Sequence, residues 1–372
     1  MSSLFLVIAA VGCLYALGAA VAARPPRIDK ARPATSPPAV TILKPLNGAE
    51  PLLFENLASL CVQDYPAPVQ IICGVQDPQD AAIAAFQRLK ARFSNHDLQL
   101  VVDPTPHGAN LKVANLINMM RHARYDCLVL ADSDIGVGPR YLAQVTAALA
   151  DPSVGCVTCL YNGQGAAGVW STLSALAIDA HFLPNVLVGL RTGLAKPCFG
   201  STIALTRQRL AEIGGFEAFV NRLADDYAMG DALRAGGLRV VTSDMLVAHS
   251  CAESSFLELW RHELRWARTI YSVDPVGYAG SAITHPLGWA VLAAATGAPI
   301  QGLAAAALAI ACRMVLLSSL TRNFGLVAPP YWLLPVRDLL SFVVFVWSFF
   351  GTGLTWRGRS YHVRTDGALA AD

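Results

Sequence analysis

Charge is what this chain has least of. Of its 372 residues only 15% are Asp, Glu, Lys or Arg, against about 25% in an ordinary soluble domain. With 54% hydrophobic residues and a mean hydropathy of +0.44, the deficit points to a chain partly dissolved in lipid. Net charge is also small, +2 at neutral pH. No general nucleic-acid field is implied, and no nucleic acid is expected as a partner. Cysteines at zinc spacing are missing too. Nine cysteines are scattered along the chain, and Cys156 and Cys159 form a C-x-x-C with no matching second pair. In "VGCVTCLY" that pair reads as part of a buried strand. Cysteines in apolar runs behave as small hydrophobes in a reducing compartment.

Residues 3–23 contain no charge at all, and about 20 apolar residues span a hydrocarbon core. A cleaved signal peptide is the rival reading, but no Lys or Arg precedes the run. A retained transmembrane helix over 1–23 is therefore expected. Arg24, Arg27, Lys30 and Arg32 follow it and by the positive-inside rule set that side in the cytoplasm. Pro25, Pro26, Pro33, Pro37 and Pro38 make 24–38 a stiff basic linker.

The apolar character returns over 276–351. "PLGWAVLAAATGAPIQGLAAAALAIACRMVLLSSL" fits two membrane helices with Gly297 to Pro299 as the turn. "YWLLPVRDLLSFVVFVWSFFG" is a further candidate that carries Pro335, Arg337 and Asp338; charges inside a span are paired or face a cavity. The basic tail, 352–372, holds Arg357, Arg359 and Arg364 and prefers the cytoplasm. A hairpin plus one more span would leave it outside, so one segment is re-entrant or the charge rule fails here. Residues 164–190 are also apolar but contain Asp179 and His181. An interfacial or buried helix is expected there in preference to a span.

Between the apolar ends, 39–275 reads as α/β. "AVTILKP", "VQIICGVQD", "LQLVVD" and "DCLVLAD" are short apolar runs separated by helical patterns at 111–124 and 139–150. That alternation predicts a parallel sheet covered on both faces, which binds ligands at the carboxyl ends of its strands. Asp77 and Asp132 stand at such ends. Asp134 follows Asp132 after one serine in "LADSDIG", with no lysine nearby in the sequence. Asp225 and Asp226 open a helical stretch in "RLADDYAMG", and Arg265 and Trp266 lie in "ELWRHELRWARTI".

The chemistry of these residue types is coherent. A hard divalent cation, Mg2+ or Mn2+, takes carboxylate oxygens and keeps room for phosphate oxygens. Asp132 and Asp134 can present two carboxylates to one such ion, which neutralises a diphosphate leaving group. A separate carboxylate deprotonates an attacking hydroxyl, and an arginine fork clamps phosphate. Gly200 in "CFGST" allows backbone to approach a sugar or phosphate. Cys198 beside it reads as a small strand residue.

The order of these elements resembles the processive-type inverting glycosyltransferases of GT-A fold. "ILKPLNGAEPLLFENLASL", "DYPAPVQIICGVQDPQDAAI", "NLKVANLINMM", "YDCLVLADSDI", "DDYAMG", "LRWART" and "LTWRGRSYHVR" are more closely similar to the ceramide glucosyltransferase family, and among its bacterial members to the hopanoid-biosynthesis branch. The resemblance runs from about residue 38 to the C-terminus and includes the N-terminal anchor.

It implies a GT-A domain with an N-terminal anchor and C-terminal membrane helices. It further implies a UDP-sugar donor, a membrane lipid acceptor (hopanoid polyol or ceramide) and a multi-pass protein of the inner membrane whose catalytic domain faces the cytoplasm. By the same resemblance Asp77 contacts the nucleotide, Lys112 stands near the uridine diphosphate, and Asp132 serves the metal and diphosphate. Asp226 is the catalytic base with Asp225 beside it, Arg265 and Trp266 serve the pyrophosphate and acceptor, and His181 is a histidine near the acceptor. The family's motif opens with Gln or Arg where this chain has His262. Asp134 as a metal ligand rests on spacing alone. Two other classes compete: a non-enzymatic membrane transporter or binding protein, against which the long α/β insert argues, and a polysaccharide synthase, against which the few C-terminal spans argue.

Overall fold

The computed structural model describes residues 1–26 and 36–351, with the backbone of three strands between 353 and 371. Of the basic linker, Arg27, Lys30, Arg32 and Pro33 fall outside the described residues, as do Arg357 and Arg364 and the side chain of Arg359.

Eight strands make one sheet: β1 (Val40–Pro45), β2 (Val69–Val75), β3 (Asp97–Val102), β4 (Cys127–Leu130), β5 (Ile135–Gly136), β6 (Val154–Gly165), β7 (Ile203–Thr206) and β8 (Arg239–Cys251). Their order is β3-β2-β1-β4-β7-β6-β8-β5. The first four are mutually parallel, as the apolar runs predict. β7 is antiparallel to both β4 and β6, and β5 is antiparallel to β8, so the sheet as a whole is mixed. Every residue of β1 is buried. Alternate residues feed opposite faces: Ile42, Ile71 and Val129 join one apolar core, while Leu43, Ile72 and Leu128 join the other.

This register puts the carboxyl ends of β2, β1 and β4 on one edge. β7 runs the other way, so the segment leading into it lies beside the end of β4, with Leu130 opposite Ile203.

Among the described residues, four helices are long and apolar enough to cross a bilayer: Ser2–Ala22, Val169–Thr192, Pro299–Phe324 and Tyr331–Ser348. Helices Pro286–Ala295 and Pro299–Phe324 form a hairpin that turns at Gly297 to Pro299, but the first has only 10 residues and is by itself too short to cross a bilayer. The N-terminal helix packs closely on the start of this hairpin. A Cβ at Gly12 would lie 2.5 Å from the Ile283 carbonyl. The segment 169–192 is two helices, Val169–Ala177 and Leu183–Thr192, joined by a π-helical turn at Ile178–Phe182. It packs between the sheet and the apolar helices: Leu173 and Leu187 share a core with Leu160 of β6 and with Leu316 and Leu334.

Candidate active site

Lys112 joins two of the predicted carboxylates. Its Nζ lies 2.7 Å from Asp132 Oδ1 and 3.4 Å from Asp225 Oδ2. Lys112 sits in the first turn of helix Leu111–Met120, whose N-cap is Asn110. The Asn110 side chain accepts from the Lys112 and Val113 amides and donates to the Arg222 carbonyl and to Asp225 Oδ1. One asparagine thus caps this helix and ties it to the loop that precedes Asp225. Capping by a side-chain oxygen is worth about 1 kcal/mol.

Asp225 and Asp226 occupy the first turn of helix Asp225–Ala235, where the helix dipole favours anions. Asp226 Oδ2 accepts from the Gly200 amide at 2.8 Å, and Oδ1 from the Tyr227 amide at 2.8 Å. The Asp132 amide in turn donates to the Gly200 carbonyl at 3.2 Å. A Cβ at Gly200 would stand 2.6 Å from Asp132 Oδ2 and 2.7 Å from Lys112 Nζ. Glycine at this position lets Asp226, Asp132 and Lys112 converge on one strand of backbone.

Asp134 takes a different partner. Its Oδ2 lies 3.3 Å from His249 Nε2, brought there by the pairing of Ile135 with His249 between β5 and β8. Asp134 Oδ1 is buried without a hydrogen-bond partner. Behind the pair, Lys44 at the end of β1 is fully buried and donates from Nζ to the Ile135 carbonyl at 2.8 Å. The sequence shows no lysine near the two aspartates. The fold supplies two, from positions 20 or more residues away in each case, because β1 lies next to β4 and helix Leu111–Met120 leads into β4.

These contacts set the protonation of the cluster. Burial would lower Lys112, but Asp132, Asp225 and Asp226 hold its pKa well above the ordinary value. Burial, with Asp134 adding to it, raises Asp132 against the pull of Lys112. Burial would also raise Asp134, and His249 outweighs it and holds the carboxyl low. Burial and the adjacent Asp225 raise Asp226 to about 6. Lys44 is pushed down to about 8 by burial, with Asp134 and Asp132 opposing.

Helix Phe256–Val273 closes the other side. Ser255 caps it by accepting from the Glu258 amide. His262, at the first position of the Arg-Trp motif, is paired with buried Glu253. Its ring is edge-on to Trp266 at 4.6 Å, and Trp266 is edge-on to His249 at 5.6 Å. Trp266 therefore reaches the residue that holds Asp134. Arg265 is half-buried on the same helix.

Two predicted residues stand apart from this cluster. Asp77 is exposed two residues beyond β2, with Oδ1 accepting from the Gln79 amide; it shares the carboxyl edge with Asp132, one strand removed. His181 lies in the π-helical turn, its Nε2 2.9 Å from Asp338 Oδ1 and its ring stacked on His285 at 5.4 Å. That places it in the helical interior, not among the carboxylates. Cys198 is buried with its Sγ 4.0 Å from that of Cys156.

Sequence reasoning missed Lys44, Asn110, His249 and Glu253. For His249, in the plain strand "LVAHSC", the one usable signal is its place near the carboxyl end of a strand, the rule that nominates Asp77 and Asp132. Asn110 carries the ordinary mark of a helix N-cap. Lys44, in "TILKP", also stands at the carboxyl end of a strand; Glu253 has no local signal.

Known proteins bear on this arrangement. Ceramide glucosyltransferase 1 of Caenorhabditis elegans is 25% identical over 247 residues, 66% of this chain and 53% of that protein. The ceramide glucosyltransferase of Candida albicans is 35% identical over 107 residues, 26% of this chain and 20% of that protein. The chain thus spans about half the length of the worm relative and less of the yeast one. A mannosyltransferase from Pyrobaculum calidifontis, solved with GDP-Man and Mn2+, superposes with a TM-score of 0.54 at 20% identity, covering 93% of this chain and 99% of that one. That likeness, together with the mixed sheet and its flanking helices, makes the fold GT-A. The profile of glycosyl transferase family 21 matches residues 4–369, and the chain belongs to that family.

Proposed function

We propose that this chain is a membrane-bound inverting glycosyltransferase that moves glucose or N-acetylglucosamine from a UDP-sugar to the hydroxyl of a lipid, a ceramide or a hopanoid polyol. Residues 39–275 form the catalytic unit at the cytoplasmic face of the inner membrane, held by helices within 1–23 and 276–351. The named activity of the relatives supports the acceptor class, and the nucleotide-sugar in the mannosyltransferase supports the donor class.

The observation that carries the reading is Asp226. Its carboxylate sits one glycine away from the Asp132–Lys112 pair, and burial and Asp225 raise it to about 6. A general base works best with a pKa near the operating pH. Both oxygens accept one backbone amide and keep a second lone pair for a proton. In the transfer, Asp226 takes the proton of the acceptor hydroxyl as that oxygen bonds to the anomeric carbon. The bond from that carbon to the UDP oxygen breaks, and the configuration inverts. Asp225 is buried between Asn110 and Lys112 and serves to hold them.

The residues fit a divalent cation shared with a diphosphate, not one enclosed by protein. Among the described residues no group of three or more His, Cys, Asp or Glu side chains is arranged to hold a metal ion. Asp134 nevertheless has a buried oxygen with no partner, and the Asp132 side chain is 33% exposed. Phosphate oxygens and water would complete such a coordination shell. Asp132 and Asp134 would hold the ion, Mg2+ or Mn2+, and when bound it offsets the charge on the departing diphosphate. His249 orients Asp134, and Lys44 acts on both carboxylates through its charge.

The test is transfer by the full chain in detergent, with UDP-glucose and UDP-N-acetylglucosamine as donors and ceramide and a hopanoid polyol as acceptors. The expected product has the anomeric configuration opposite to the donor's. EDTA should abolish transfer, and added Mg2+ or Mn2+ should restore it. Full activity after exhaustive chelation removes the cation from Asp132 and Asp134. Retention of configuration removes Asp226 from the role of base.

A further inference from the structure

Tyr161 lies where the two halves of the site meet. The residue is only 8% exposed. Its ring is stacked on Phe182 at 4.6 Å and edge-on to Phe199 at 5.8 Å. It is tilted against His249 at 5.4 Å and edge-on to Trp266 at 6.5 Å. These neighbours locate it. Phe199 precedes Gly200, which touches Asp132 and Lys112; His249 holds Asp134; Trp266 follows Arg265. One ring therefore touches the neighbour of Gly200, the partner of Asp134 and the neighbour of Arg265.

The hydroxyl is the unexplained group. No hydrogen bond joins it to any described residue, and it is not among the polar atoms sealed away from the surface. Buried tyrosine hydroxyls usually find a partner, and a ring that only packed here would serve as well as phenylalanine. Burial raises the phenol well above its ordinary pKa, and the charges that add to this are those of Asp226, Asp134 and Asp132, in that order. The phenol therefore stays protonated, within electrostatic reach of the three carboxylates.

We propose that the Tyr161 hydroxyl binds the reacting hydroxyl of the lipid acceptor and turns its proton toward Asp226. This rests on the reading of the chain as a transferase to a lipid hydroxyl and adds to it the residue that positions the acceptor oxygen. The aromatic wall formed by Phe182, Phe199 and Trp266 excludes water around that hydrogen bond, so the bond counts for more than it would in solvent. Water, the competing acceptor, is small enough to reach the anomeric carbon without this guidance.

Tyr161→Phe removes one oxygen and keeps the ring contacts. Lipid transfer and UDP-sugar hydrolysis would be measured on the same purified protein, with UDP affinity by calorimetry and thermal unfolding alongside. The acceptor probe is whichever of ceramide and hopanoid polyol the wild-type protein glycosylates. A hydrogen bond to an oxygen that gains charge is worth enough to lower kcat for lipid transfer roughly 10- to 100-fold. Hydrolysis should fall less, so the transfer-to-hydrolysis ratio drops, while UDP affinity and unfolding temperature stay at wild-type values. Wild-type transfer by Tyr161→Phe overturns the proposal. So does a loss of transfer matched by equal losses in hydrolysis, UDP affinity and unfolding temperature, which would make the hydroxyl structural. A wild-type protein that binds UDP-sugar but transfers to neither lipid overturns the transferase reading, and this proposal with it.

Discussion

Two ionic clusters meet at helix Phe256–Val273, and they are built on opposite principles. On the membrane side, Arg337 is fully buried and grips Glu263 of that helix with both guanidinium nitrogens, and also reaches Ser341 Oγ and the Leu173 carbonyl. Arg313 bonds Asp338 Oδ2 at 3.0 Å and the carbonyls of Ala180 and Thr284 at 2.7 and 2.8 Å. Each arginine is matched by one carboxylate. In the sheet-edge cluster, four carboxylates lie together: Lys112 pairs with Asp132 and Asp225, Lys44 acts on Asp132 and Asp134 through its charge, and His249 pairs with Asp134. The atoms left without partners differ accordingly. On the sheet edge they include a carboxylate oxygen of Asp134; on the membrane side they include ring nitrogens of His181 and His285. Balanced charge fixes helices to one another. An excess of buried negative charge is costly unless a cation or a proton arrives, and such a cluster is a candidate for a functional site.

The sharpest way to break this comparison is Asp226→Asn. Loss of the base should lower kcat about 10²- to 10⁴-fold and leave UDP affinity nearly unchanged, since Asp77, Lys112 and Asp132 remain. Asp225→Asn should lose less. In the wild type the rate should fall as pH drops through about 6, where Asp226 takes its own proton. The same substitution should raise the unfolding temperature at neutral pH. A carboxyl raised from 3.8 to about 6 binds more protons folded than unfolded across that window, so stability falls as pH rises through it. A variant that loses UDP binding in step with activity would show that Asp226 holds the donor or the fold.

The membrane-side cluster should respond with the opposite sign. Arg337→Met strands Glu263 in a buried site, and breaking one partner of such a pair costs about 3–5 kcal/mol. The double variant Arg337→Met, Glu263→Met should recover most of that loss, because a buried pair replaced by apolar side chains of similar volume is often neutral. Denaturant unfolding in detergent reads both. A single variant as stable as the wild type would mean that this pair does not hold the Trp266 helix.

How much of this was legible in the sequence follows from the range of the forces involved. The strands, the hairpin at Gly297 and the first-turn acids of the Asp225 helix are local patterns, and periodicity and capping reveal them. The parallel half of the sheet is legible for the same reason. β7 is not, since four residues in "STIALT" carry no sign of direction. Asp132, Asp134 and Asp226 stand out as acids at strand and helix ends. Two of their partners do not, because Lys44 and His249 arrive through strand order and register, across separations that no spacing encodes; Lys112 is named by the family resemblance, but its pairing with Asp132 and Asp225 is not. The charges at Arg337 and Asp338 look like flaws in a span until Glu263 and Arg313 are seen opposite them.

The smallest expected effect tests whether the lysine behind the aspartates belongs to the working cluster or only to the scaffold. Lys44 is buried at the end of β1, and its ammonium donates to the Ile135 carbonyl. Burial lowers it from 10.5 to about 8, while Asp134 and Asp132 resist the loss of its proton. Between those two values the unfolded chain keeps the proton and the folded chain sheds it, so this group makes stability rise with pH. Activity should move the other way. Loss of the positive charge leaves Asp132 and Asp134 repelling each other and shifts the loop that carries them, a few-fold decline in rate above about pH 8. Lys44→Met should show that lower rate at every pH and lose the alkaline decline. If the decline persists in Lys44→Met, another group produces it. Lys44 then belongs with Arg337, as a charge that holds the fold and takes no part in setting the carboxylates.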